Sequence, residues 1–228
     1  QDSRYGFSDA SQFNRPFSDT PAEAVVRYRV GDVPVETRTV VRRREARIPY
    51  GFVMRELRVV PAISLTVAPT TAVVPLAARI KRVGVTVDLL NSRATGSKGE
   101  LSLRVLQGWT VEPARAPFAF TRAGERAAFR FTITMPAIED RIYDVRAIAT
   151  SEGREYTEGF EEIDFRDLEA RHLYRPSTIA LRGIDVAVVP GLKVGYVMGI
   201  GDQVPQGIAQ LGYEVTLLDE KALATSDL

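Results

Sequence analysis

Apolar and polar positions alternate with a period of two through most of this chain. Val26, Tyr28 and Val30 alternate with Arg27 and Arg29, and Gly31-Asp32 supplies turn chemistry before a second alternating run. Between residues 63 and 165 come "ISLTVAPTTAVVPL", "RIKRVGVTVDLLNS", "KGELSLRVLQGWTVEP", "FAFTRAGERAAFRFTITMP" and "RIYDVRAIATSEGREYTEGFEEIDF", each of them strand-length text closed by Pro, Gly, Asn or Ser. Turn residues recurring about every 8–12 positions predict an antiparallel β-sandwich. The expectation is two packed sandwich regions, 17–62 and 63–165. An N-terminal arm over residues 1–21, polar but carrying Tyr5, Phe7, Phe13 and Phe17, is expected to drape over a domain.

The pattern changes near the C-terminus. After a connector over 166–190, the stretch "GLKVGYVMGIGDQVPQGIAQLGYEVTLLDE" reads as a buried-type strand at 194–198, a Gly-rich turn, a short helix and a second strand at 213–218. That is the start of a βαβ arrangement. A parallel sheet buries its strands on both faces and needs several such units, so the reading is of a truncated α/β segment in a piece of a larger protein. The expected organisation is an arm and β-rich region (1–62), a β-sandwich (63–165), a connector (166–190) and a partial α/β segment (191–228).

Composition narrows the function. The 228 residues hold 45% hydrophobic and 26% charged side chains, as a globular protein does. Thirty basic and twenty-nine acidic residues leave a net charge of +1, so no overall field draws the chain to nucleic acid or to an anionic membrane surface. No apolar run approaches the ~20 residues of a membrane-spanning helix. Cysteine is absent, which removes disulfides, thiolate metal sites and cysteine nucleophiles.

Candidate chemistry is sparse. His172 is the single histidine, so no two-histidine metal spacing can be written; in a polar connector it reads as a structural or surface residue. "GIGDQV" suggests a ligand loop through Gly199, Gly201 and Asp202, but Val204 stands where a dinucleotide fingerprint has its third glycine. Asp202 is equally placed to cap the helix that Pro205 opens, with Gly212 just past its end. The cluster "VVRRREAR" (40–47) reads as a solvated strand edge. Glu152, Glu155, Glu158, Glu161, Glu162 and Asp164 could in principle pair for glycoside chemistry, yet on a hairpin they face solvent. Trp109 after Gly108 either stacks on a sugar ring or, more in keeping with its place at the end of a core strand, anchors the sandwich.

Two resemblances add to this. The stretch "LSLRVLQGWTVEPARAPFAFTRAGERAAFRFTITMP" (101–136) resembles the immunoglobulin-like module associated with bacterial α-galactosidases, with Val105, Leu106 and Gln107 where such modules often carry Pro before the Gly-Trp pair. More widely, "LYRP" (173–176) and "VGYVMGIGDQVPQGIAQLGYEVTLLD" (194–219) make the order of parts similar to the C-terminal region of bacterial PIG-L/LmbE-type N-acetylglucosaminyl deacetylases. There, β-sandwich modules precede an amidotransferase-like α/β domain. The resemblance implies a mainly β chain with an immunoglobulin-like sandwich followed by the β-α-β start of that domain. It also implies a non-catalytic scaffold or carbohydrate-binding role, with the remainder of the parent polypeptide and a glycan as partners and a periplasmic or extracellular setting. The Pro-His-x-Asp-Asp metal motif is missing and no cofactor is expected in this chain, zinc being implied only for a catalytic domain outside it. The alternatives are part of an amidotransferase-like enzyme domain, whose usual nucleophilic Cys this chain lacks, or an adhesion or assembly module.

Overall fold

The computed structural model describes residues 20, 22–49, 51–78, 81–165, 170–189, 191–202 and 204–225. Apart from Thr20, the expected N-terminal arm lies outside the described residues. The chain divides into two compact units, Gln1–Val59 with Ile163–Arg171, and Val60–Glu162 with His172–Leu228.

In the first unit, β1 (Glu23–Val30) and β2 (Val33–Val40) form an antiparallel hairpin with Val30 opposite Val33. Gly31, at φ 60°, takes the left-handed conformation that this two-residue loop requires. The register sets Val26, Tyr28 and Val30 on one face with Val35 and Val33, and Arg27 and Arg29 on the other with Glu36 and Pro34. A second hairpin joins β3 (Arg42–Ala46) to β4 (Phe52–Glu56), with Arg42 opposite Glu56 and the Arg44 guanidinium 3.7 Å from the Phe52 ring centre. No described residue from 22 to 59 is buried. Among the described residues of the region expected as a sandwich over 17–62, alternation specifies the strands of two two-stranded ribbons without giving either a buried face.

The second unit holds the core. β5 (Ile63–Ala68), β6 (Thr71–Pro75), β7 (Lys81–Asn91), β8 (Thr95–Arg104), β9 (Thr110–Glu112), β10 (Ala116–Arg122), β11 (Arg126–Met135), β12 (Ile142–Ser151) and β13 (Arg154–Tyr156) follow in order. β14 (Glu158–Ile163) and β15 (Arg171–Pro176) form a two-stranded ribbon, and β16 (Thr178–Ile184) comes next. One sheet runs β10-β8-β12-β16-β6, with β13 paired to β12; the other runs β5-β7-β11-β9. Pairing is antiparallel except for β16 on β6. The two sheets enclose one apolar cluster, to which Val83, Val85, Val87 and Leu89 contribute from β7, Phe131 and Ile133 from β11, and Val145 and Ala147 from β12. This is the β-sandwich that the period-two text predicted, of the immunoglobulin-like class that the resemblance of 101–136 implied.

The stretch read as a connector departs from expectation. Residues 178–184 form β16, an interior strand of the larger sheet. Ile179 and Leu181 are buried, and at Gly183 a Cβ would stand 2.1 Å from the Glu139 carbonyl oxygen. Its short "TIALRGI" carries the same alternation as the other strands.

Towards the C-terminus, β17 (Lys193–Tyr196) and β18 (Glu214–Leu217) pair in parallel through α1 (Val204–Gln210), and α2 (Glu220–Thr225) follows. The expected βαβ order is present, with both strands only four residues long.

Candidate functional site

The turn after β17 draws three of the sequence-selected residues together. The Tyr196 hydroxyl donates to Asp202 Oδ2, while the Val204 N–H donates to Oδ1 at 2.9 Å. The Gly199 N–H also bonds this carboxylate, and Gly201 turns the chain at φ 70°. The Tyr196 hydroxyl, foremost, and the two backbone donors hold Asp202 below the ordinary aspartate range. The same contact pushes the Tyr196 phenol above its ordinary value, because ionising it would set a phenolate against a carboxylate. Asp202 thus caps α1 and latches the turn to β17. Its oxygens are engaged by the protein itself.

Trp109 lies elsewhere in the same unit, in the turn after β8. It is half-buried and packs on the sandwich core, its ring 5.3 Å from that of Tyr143 at 52°. The Trp109 backbone N–H donates to the Leu106 carbonyl at 3.1 Å. The arrangement is that of an anchor with one side still open.

The carboxylates of 152–164 do not converge. Glu152 pairs with Arg93 at 2.7 Å, Glu155 with Arg104 at 3.5 Å, Glu161 with Arg175 at 3.8 Å and Asp164 with Arg55 at 2.7 Å. These four acids pair with four different arginines, and Arg55 holds Asp164 below its usual value. Among the described residues, no group of three or more His, Asp or Glu side chains is arranged to hold a metal. His172 is half-buried with its ring 5.6 Å from Phe160. In the basic cluster, Arg43 pairs with Glu45 at 2.9 Å.

α1 creates a further feature that no motif in the chain announces. The Gln210 side chain reaches the free edge of β6, where its Oε1 accepts the Val73 N–H at 2.9 Å. Between α1, β6 and the outer side of β7 lies a cleft of about 870 Å³. Its α1 side (206–212) lies 120 to 144 residues from its β6 and β7 side (68–86), and no local motif joins them.

No family model matches the chain, and no curated protein matches it. Solved structures similar to part of it include the apo-form Calx CBD1 domain, at 11% identity and a TM-score of 0.30, covering 55% of this chain and 100% of that one. SSP-19, an MSP-domain protein like family member in Caenorhabditis elegans, shows 16% identity and a TM-score of 0.29 over 52% of this chain and 97% of its own. The Salmonella enterica SafA pilin in complex with the SafB chaperone shows 13% identity and a TM-score of 0.28 over 55% and 56%. No described helix is long and apolar enough to cross a membrane.

Proposed function

We propose that this chain is a structural or binding module, an immunoglobulin-like sandwich that holds or positions a larger protein, and that the parent is a PIG-L/LmbE-type deacetylase. One observation carries the modular reading. The parallel β17–β18 pair leaves Val197, Met198, Leu217 and the fully exposed Ile200 in solvent, a clustering of large apolar side chains that suits contact with further polypeptide. The deacetylase parent and a glycan partner rest on the resemblance of 173–176 and 194–219, with Trp109 as the residue through which a sugar ring would be met.

The test is acetate release from N-acetylglucosamine oligosaccharides by the purified chain with and without Zn²⁺. The expected outcome is none in either condition. Zinc-stimulated release that disappears in His172→Ala would overturn the non-catalytic reading.

A further inference from the structure

We infer that the cleft between α1, β6 and β7 is a binding site for a small organic anion, a carboxylate or phosphate ester carried on a short aliphatic body. This goes beyond the module reading and does not depend on the parent protein.

The charged groups described around the cleft are cations, set among the amides of Gln206 and Gln210 and the hydroxyls of Thr71 and Thr86. Among its described lining residues, Lys81 and Arg82 bring two positive charges and no aspartate or glutamate is present. Lys81 Nζ uses one hydrogen on the Ala78 carbonyl at 2.8 Å, which leaves two N–H donors on the ammonium. Arg82 is exposed on the outer side of β7. The Gln210 amide is oriented by chemistry: the Val73 N–H can only donate, so the atom facing it is Oε1 and the NH₂ end remains to donate elsewhere. Gln206 lies one turn earlier on the same side of α1. An anion satisfies these charges and spare N–H donors, whereas a cation would be opposed by both Lys81 and Arg82.

The rest of the wall is apolar. Pro69, Val73 and Leu211 line it, and its size lies within the range of ordinary ligand pockets, roughly 300–1,000 Å³. The space is open at two glycines, because a Cβ built on Gly84 or on Gly207 meets no heavy atom within 4 Å. Among the described lining residues no side chain is aromatic, so these residues offer a pyranose ring no stacking platform. An aliphatic body with a charged head matches both halves of the lining.

The experiment titrates the purified chain with hexanoate, hexyl phosphate, inorganic phosphate and hexanol, reading the backbone amide resonances of Gly84 and Gly207 by NMR. Hexanoate, hexyl phosphate or both should shift these resonances saturably, and the stronger of the two identifies the head group. Hexanol should shift them at least roughly tenfold more weakly, a difference equal to one charge contact. Arg82→Glu should weaken binding by about tenfold or more, and Gly84→Val or Gly207→Leu, each of which fills open space, should abolish it while the thermal midpoint is kept. Equal binding of hexanol and hexanoate would reduce the cleft to an apolar hollow. Inorganic phosphate binding as tightly as the organic anions, unchanged by both glycine substitutions, would reduce it to surface charge. Absence of any shift at about 10 mM, the weak end of specific affinity, would overturn the site altogether.

Discussion

Asn91 is the polar residue on which the sandwich most depends. It is fully buried, and its Nδ2 lies 2.8 Å from the Arg122 carbonyl, 3.2 Å from that of Arg93 and 3.4 Å from that of Thr95, while Oδ1 accepts the Ser97 hydroxyl at 3.0 Å. One side chain therefore joins the β7–β8 corner to the β10–β11 turn. Asn91→Ala should cost about 2–3 kcal/mol by leaving buried carbonyls unmet. Asn91→Asp should cost more, because a carboxylate has no hydrogen to give those oxygens and cannot ionise cheaply there. Urea unfolding of the two variants checks both the loss and its order; Asp tolerated better than Ala would contradict the donor argument. Trp109 sits at the same scale with a smaller effect. Half-buried against Tyr143, it should cost about 2 kcal/mol on Trp109→Ala, less than the 3–5 of a fully enclosed ring. An unchanged midpoint together with lost retention on an N-acetylglucosamine polysaccharide would instead make it a sugar platform.

At the scale of elements, alternation was a faithful guide to strands and a poor one to burial. The hairpin at Gly31-Asp32, the strands of 63–165 and the βαβ order after 191 were legible, because turn residues and side-chain period act locally. Whether a face is covered depends on what lies across from it. The text of β1 and β2 alternates as clearly as that of β7, yet Val26, Tyr28 and Val30 are exposed where Val83, Val85 and Val87 are buried. Likewise β16 was hidden within a polar connector, its place in the sheet set by pairing with β12 and β6, more than thirty and a hundred residues earlier. Of the candidate site residues, the capping role of Asp202 could be read from its spacing to Pro205. Its bond to Tyr196 could not, since the turn geometry had first to bring the ring round. That latch has a pH dependence. Asp202 is held below the ordinary aspartate value of 3.8, so its contribution is complete above that range and is lost as pH falls through the lower folded value. Tyr196 is raised above 10.0, so its contribution is complete below that value and is lost as pH rises through the higher folded one. Amide exchange at Val204, corrected for intrinsic rates, should therefore quicken at both extremes relative to neutral pH, and Asp202→Asn should abolish the acid limb. An acid limb that survives in Asp202→Asn would place its origin elsewhere.

Over the whole molecule, protection from solvent is unevenly distributed within the second unit. Strands β7, β8, β11 and β12 share one core, with Val87, Leu101, Ile133 and Val145 at 0% exposure. The βαβ piece has a different character: four-residue strands, a seven-residue helix whose one buried residue is Pro205, and apolar side chains in water. A helix of that length has little stability of its own, and a two-stranded sheet needs cover to persist. Its ties to the sandwich include the Gln210 bond to Val73 at 2.9 Å. Local opening should therefore cost far less over 193–217 than over 101–135. Hydrogen exchange in dilute, monomeric solution should show the first stretch exchanging at least about a hundredfold faster, which corresponds to roughly 2.7 kcal/mol of difference in opening free energy. Gln210→Ala should widen the gap by loosening α1 from β6 without changing exchange in β11. Equal protection of the two stretches would mean that the βαβ piece is a self-sufficient element, and the proposal that its apolar side chains serve contact with further polypeptide would fall with it.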